Sequence, residues 1–243
     1  MKKAFLFVTV IALVTGFAVI SNASVDSIYE AAVINMKGDV KVDPNADGSW
    51  FTPWIGMKLK KGALLKAGPD SWAEIVFDVD GLNILRIKEN TQITIDRSSV
   101  KMPEGSVLAK FDNLTPGSSF VVRTPNAACG IRGSGMGVTV VKGKTIVEAF
   151  EDKAYLTTYD ANGNVVTTEF IVPEEWKTTV RSDGKPEQPV ALTPEEKDVW
   201  EVWVDALEKG VGEAPEGYEP EPDSKDLEDI KTEEKKKDVS PCS

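Results

Sequence analysis

The sequence predicts an all-β domain followed by one helix, and three observations carry that reading. From Ala31 to about Val180, short runs rich in Val, Ile, Thr and Phe alternate apolar and polar residues. Gly, Asp, Asn or Pro break these runs about every 8–12 residues, the rhythm of a sandwich, barrel or solenoid of short strands. No helical period of useful length occurs before Thr193, where a capped amphipathic stretch begins.

The elements follow in order. Lys2 and Lys3 precede an apolar run from Ala4 to Ile20, and Ser21-Asn22-Ala23 closes it. A positive start, an apolar middle and a small-x-small site describe a secretory signal peptide over 1–23, cleaved after Ala23; an uncleaved membrane anchor is the alternative. No cysteine lies near that site, so a lipid anchor is not expected, and no second run is long enough to span a bilayer. The β-domain is read over 31–183. Its strand candidates include 39–42, 73–77, 82–87, 92–95, 119–122, 138–141 and 146–150. Asp80-Gly81 and Asn162-Gly163 mark hairpin turns, because both dipeptides adopt left-handed torsions readily.

A linker is read over 184–192 and a helix over 193–210. Thr193 and Glu196 form a capping box, Pro194 suits the first helical position, and Gly210 ends the element. Val199, Trp203, Ala206 and Leu207 are expected to share its buried face, with Trp200 beside them. So short a helix is marginal alone and should dock its tryptophans on the β-domain. Residues 211–243 are rich in Pro, Glu, Asp and Lys, cannot bury enough apolar surface to fold, and are expected to form a disordered acidic tail.

Composition narrows the function. The formal net charge of −11 opposes nucleic acid, whose binding rests on Lys and Arg neutralising phosphates. The chain has no histidine, which removes the commonest general base, the triads built on it and the usual zinc ligand. The two cysteines, Cys129 and Cys242, have no CxxC partner, so a zinc site fails on ligand count. A disulfide between them is compatible with an oxidising compartment, but a small buried Cys129 and a free tail thiol are the favoured reading.

Thr124 to Val138, TPNAACGIRGSGMGV, raises the question of a phosphate cradle. Gly133, Gly135 and Gly137 run G-x-G-x-G, but Val138 to Val141 reads as strand, so the helix N-terminus a phosphate needs is missing. Gly143-Lys144-Thr145 imitates a P-loop ending, yet Val138 stands where its first glycine belongs. Asp43, Asn45 and Asp47 fit the first half of a calcium loop, but Trp54 stands where the bidentate Glu belongs, which leaves a polar turn or at most a weak calcium site. Asp78 and Asp80 suit a turn as well as an acid–base pair. Ser134 has neither a nucleophile elbow nor a lysine at the required spacing, and Lys144 and Lys177 are arbitrary bases. No catalytic set assembles, and no cofactor is expected. Trp50, Trp54 and Trp72 are read first as core packing, with sugar stacking the alternative.

Gly38-Asp39-Val40-Lys41-Val42, Trp50 and Gly62 to Gly68 resemble the opening of the FecR family domain. Phe120-Val121-Val122-Arg123-Thr124-Pro125 followed by Gly130-Ile131-Arg132-Gly133-Ser134 is similar to that family's most specific segment, and the resemblance spans Ala31 to Thr158. Ser134 replaces the family's usual Thr, Gly135-Met136 replaces an acidic-then-Phe pair, and Asp152 replaces a Gly. The resemblance implies a FecR-like sandwich or solenoid and marks Thr124, Pro125, Gly130, Arg132, Gly133 and Ser134 as a structural or binding motif. It implies a periplasmic or secreted, non-enzymatic binding or scaffold domain for a protein, glycan or envelope component. The alternative is a sensor or accessory subunit of envelope signalling, working through a separate membrane partner; only three residues precede the apolar run, so no anti-sigma segment is expected. Within the motif, Gly133 is expected to need glycine's torsions or its lack of a side chain. Arg132 has two readings, a buried arginine satisfying strand-end carbonyls or an exposed contact for an anionic ligand.

Overall fold

The computed structural model describes residues 31–210 except Val79 and Pro116. The signal-like run, the charged stretch after Gly210 and Cys242 lie outside the described residues. In chain order the strands are β1 (Ala31–Lys37), β2 (Val40–Asp43), β3 (Lys58–Leu59), β4 (Leu64–Ala67), β5 (Trp72–Val76), β6 (Asn83–Ile87), β7 (Thr91–Asp96) and β8 (Ser99–Phe111). They continue as β9 (Phe120–Arg123), β10 (Ala127–Ile131), β11 (Ser134–Val141), β12 (Lys144–Glu151), β13 (Ala154–Tyr159), β14 (Val165–Val172), β15 (Trp176–Val180) and β16 (Val190–Ala191). One helix, α1 (Pro194–Gly210), follows.

The strands form two layers rather than a solenoid. Sheet A runs β3-β1-β5-β6-β8-β11-β12-β15-β16, and sheet B runs β2-β4-β7-β8-β9-β10-β13-β14. The β8–β9 pair is parallel and the other pairs are antiparallel. Strand β8 belongs to both layers: residues 99–104 pair with β7 and β9, and 105–111 pair with β6 and β11. Gly105 makes the corner. Its φ is +110°, and a Cβ there would stand 2.4 Å from Thr91 Oγ1, so only glycine fits both the torsion and the space. Just before it, Pro103 falls where the register slips between Lys101 and Glu104, a position with no ladder N–H to lose.

Period-2 alternation sends one face of each strand inward. Val33, Ile75 and Leu85 of sheet A meet Val42, Leu65, Ile93 and Leu156 of sheet B in one buried cluster. Phe111 and Phe120 stack within it, with centroids 4.0 Å apart, and Phe77 meets them tilted and edge-on. Cys129 sits in that core as a free thiol whose ionisation burial strongly opposes. Part of the stretch read as linker is used by the sheet: Pro186 bridges Val180, and β16 pairs with β15.

Helix α1 crosses the outside of sheet A, held at its start by Thr193 and Glu196, whose side chains bond each other's backbone N–H at 2.9 and 3.3 Å. Its buried face differs from the expected one. Trp200 and Trp203 are buried and Val204 and Leu207 pack beside them, an i, i+3, i+4, i+7 set, whereas Val199 is 51% exposed. The reason lies in the sheet. Gly135 leaves a notch that receives Trp200, since a Cβ there would lie 2.1 Å from the indole ring. Phe150 stacks on the same indole with centroids 4.7 Å apart. Trp203 Nε1 donates to the buried carboxylate of Glu74 at 2.8 Å, which fixes the helix's rotation.

Candidate functional site

The glycine-rich segment crosses from one layer to the other, from β10 of sheet B to β11 of sheet A. It begins with a tight β9–β10 turn. Thr124 N donates to Ala127 O at 2.8 Å, and Ala127 N donates to Thr124 Oγ1 at 3.0 Å. Pro125 is exposed at the tip, while Asn126 is buried beneath it. The Asn126 amide donates to Val180 O at 3.1 Å and Arg181 O at 2.9 Å, at the end of β15. The Thr145 hydroxyl, at the start of β12, lies within bonding distance of both Thr124 Oγ1 and Asn126 Oδ1. One turn of sheet B is thereby clipped to two strands of sheet A. This hub serves buried backbone carbonyls that would otherwise lack partners.

The chain then returns to sheet A through Arg132 and Gly133. Gly133 has φ +91°, and a Cβ there would meet only the Phe111 carbonyl oxygen, at an ordinary 3.8 Å, so torsion and not crowding demands glycine there. Gly130 carries an ordinary strand conformation, and a Cβ would make normal contacts no closer than 3.7 Å. Ser134 Oγ is buried with no hydrogen-bond partner, and no base stands against it. Arg132 corrects the first of its two readings: it is exposed, and its guanidinium lies 4.5 Å over the Tyr155 ring instead of capping buried carbonyls.

The calcium-like residues build a turn. Asp43, almost fully buried, accepts from Asp47 N at 3.2 Å and Gly48 N at 2.7 Å, and Asp47 Oδ1 accepts from Ser49 N at 2.9 Å. Asn45 hydrogen-bonds Asp47, whose carboxyl sits below its ordinary range, chiefly through its bond to Ser49. Among the described residues no three His, Cys, Asp or Glu side chains are grouped as metal ligands would be.

What that turn presents is the more informative feature. Phe51 bridges Val42 by two backbone hydrogen bonds of 2.8 and 3.0 Å, so the 48–54 segment lies firmly against the edge of sheet B. On it Trp54 is 61% exposed and Phe51 39% exposed, with centroids 6.5 Å apart and planes within 18° of parallel. Trp50 is half-buried beneath Lys66, whose Nζ lies 4.0 Å from the ring centroid. Lys41 Nζ donates to Thr52 Oγ1 at 2.8 Å. The expectation that Trp50, Trp54 and Trp72 pack in the core fails: Trp50 and Trp72 are only half-buried, against Lys66 and Arg86, and Trp54 is exposed because Pro53 turns inward in its place. The signal available in the sequence was the W-F-T-P-W run itself, too dense in aromatic residues for one edge to bury.

A depression of about 220 Å³ lies on sheet A beside the start of α1, lined in part by Thr139, Glu148, Lys177, Glu187 and Glu196. Burial and the nearby Glu196 push the Glu148 carboxyl up from its ordinary value, while Lys177 works against that shift. Burial also opposes the charge on Glu196, but its ion pair with Lys177 and its bond to Thr193 N–H outweigh this and hold its pKa low. Lys177 therefore anchors the helix start. Asp78 closes the β5–β6 turn by accepting from Leu82 N and Asn83 N.

No family model matches the chain, and no curated protein matches it. Among solved structures, two crystal structures of a candidate anti-sigma factor from Parabacteroides distasonis align with a TM-score of 0.44 and 14% identity. The alignment covers 56% of this chain and 63% of that one, so the chain matches less than two thirds of that protein's length.

Proposed function

We propose that this chain is an exported, non-enzymatic recognition domain that binds a glycan of the cell envelope through the aromatic loop carrying Trp54. One observation carries the reading: two large rings, Trp54 and Phe51, stand in solvent side by side on a loop whose backbone is fixed to the sheet. A ring held rigid in water offers contact area at little conformational cost, and Trp serves this role widely at interfaces. Sugar C–H faces stack on such rings, and the hydroxyls find Thr52, Lys41 and Ser49 close by in the chain. Export rests on the N-terminal Lys-Lys, apolar run and Ser-Asn-Ala site.

The test is a glycan array probed with the purified chain and with Trp54→Ala. The variant should keep its melting temperature within about 2 °C, because an exposed side chain contributes little to folding. It should lose the captured glycans. An array on which both proteins bind alike refutes the site, and turnover of a polysaccharide by the purified chain replaces recognition with catalysis. Capture of an envelope membrane protein by a contact indifferent to Trp54 would favour the accessory-subunit reading instead.

A further inference from the structure

The outer face of sheet B, next to the aromatic loop, places like charges on neighbouring strands. The register sets Lys41 opposite Lys66, and it sets Lys101 between Thr94 and Arg123. Like charges in register destabilise a sheet, so each pair calls for a partner. The first pair has partners on this chain: Asp39 lies 3.3 Å from Lys41 Nζ, and Trp50 lies under Lys66. For the second pair only Asp96 acts on Lys101, through its charge, and its closer partner is Lys61. Lys101 and Arg123 are both exposed, and neither forms an ion pair among the described residues. The acids nearest by register are Asp96, which is held by Lys61 at 3.0 Å, and Glu104 farther along β8.

The floor beside Arg123 is shallow. Ala128 pairs with Arg123 and Gly130 pairs with Val121, and both outward positions lack bulk. Tyr155 forms the far wall opposite Gly130, and Arg132 lies over its ring at one end. Lys66 lies three strand spacings across from Arg123, about 14 Å, and two residues off its rung, about 16 Å in all, so the cations continue the surface that begins at Trp50. The overall charge of −11 repels anions, so a bound anion has to sit at a local cation cluster such as this one.

We propose that Lys101, Arg123 and Arg132 bind the anionic groups, carboxylate or sulfate, of a polysaccharide whose sugar rings stack on the Trp54 loop. This rests on the glycan reading above and adds to it the charge of the ligand. Two guanidinium groups and an ammonium suit a chain with one anionic group every residue or two, since guanidinium holds carboxylate and sulfate through paired N–H donors.

The experiment compares oligogalacturonate with its methyl ester, and dextran sulfate with dextran, by calorimetry on the purified chain at physiological ionic strength. The charged member of at least one pair should bind about tenfold or more tightly than its neutral counterpart, and the difference should shrink as salt is raised. The uronate pair reports carboxylate recognition and the dextran pair sulfate. Replacing both residues, Lys101→Gln with Arg123→Gln, should remove that difference while leaving melting temperature and neutral-glycan binding in place. Trp54→Ala should weaken charged and neutral ligands alike. If wild type binds charged and neutral members equally, the anionic proposal fails and the glycan reading stands. If it binds none of the four and captures nothing on the array, both fail. A DNA oligonucleotide bound as tightly as dextran sulfate overturns the proposal in favour of unselective polyanion binding.

Discussion

The two sheets have opposite outer faces. Outside sheet A, Val76, Ile84, Leu108 and Phe150 form an apolar strip, Gly135 cuts a notch into it, and α1 covers it with Trp200 and Trp203. Outside sheet B the strands carry Lys66, Lys101, Arg123 and Tyr155, and no described element lies over them. One face is completed by the chain's own helix; the other is uncovered among the described residues. The same structural rule, one inward and one outward residue in turn, has been used for packing on one side and for presentation on the other. The difference is written in side-chain chemistry and not in backbone.

The comparison breaks first where the covered face is damaged. Trp200→Ala should cost about 3–5 kcal/mol, the usual range for emptying a buried aromatic site. Gly135→Ala should destabilise comparably, because a Cβ has no room against the indole. Denaturant unfolding of the double variant decides whether the notch exists for that ring: in a Trp200→Ala background the Gly135→Ala cost should largely vanish, and full additivity would refute the pairing. At the joint between layers, Asn126→Ala should cost about 1–3 kcal/mol by stranding the buried carbonyls of Val180 and Arg181.

Smaller effects sharpen the contrast. Glu148 binds its proton more tightly in the folded protein than in the unfolded chain, so its ionisation subtracts from stability as pH rises above the usual glutamate value of 4.5. Glu148→Gln should therefore raise the melting temperature at neutral pH and lose that advantage below pH 4.5. An advantage that grows on acidification would contradict the burial seen beside α1. On the bare face, Gly130→Ala should change stability by no more than about 0.5 kcal/mol, since its torsions and surroundings accept a methyl group. A loss as large as that of Gly135→Ala would show that something already covers sheet B.

Much of the architecture could be read from residue order alone. The alternating runs became strands, the Asn162-Gly163 hairpin joins β13 to β14, and Thr193 with Glu196 caps the helix. Much of what could not be read has one cause: glycine and proline have several structural meanings. Gly135 and Gly137 looked like loop residues, yet they lie inside β11, making room for Trp200 and for the Glu148 carboxylate. Pro103 and Gly105 look like a turn and are instead the corner of a strand of 13 residues. The helix face was misjudged because helical period fixes which residues share a side but not which side meets the notch. For the candidate site, the sequence marked Thr124 to Ser134 by resemblance, and most of that segment is a hydrogen-bonded clip. Trp54 was undervalued because exposure depends on where Pro53 turns. The Lys101–Arg123 pairing needs a register between strands, which no local pattern reveals.

Strand β8 does more than turn a corner. In both sheets every strand before it in the chain, β1 to β7, lies on one side of it, and every strand after it, β9 to β16, lies on the other. The molecule is two successive half-sandwiches welded along one shared strand. The later half then returns across the weld, because α1 reaches Glu74 of β5 through Trp203. The two halves nevertheless share one buried cluster, joined through Phe77, Phe111 and Phe120. Amide protons of β8, protected from both flanks, should be the last to exchange with solvent.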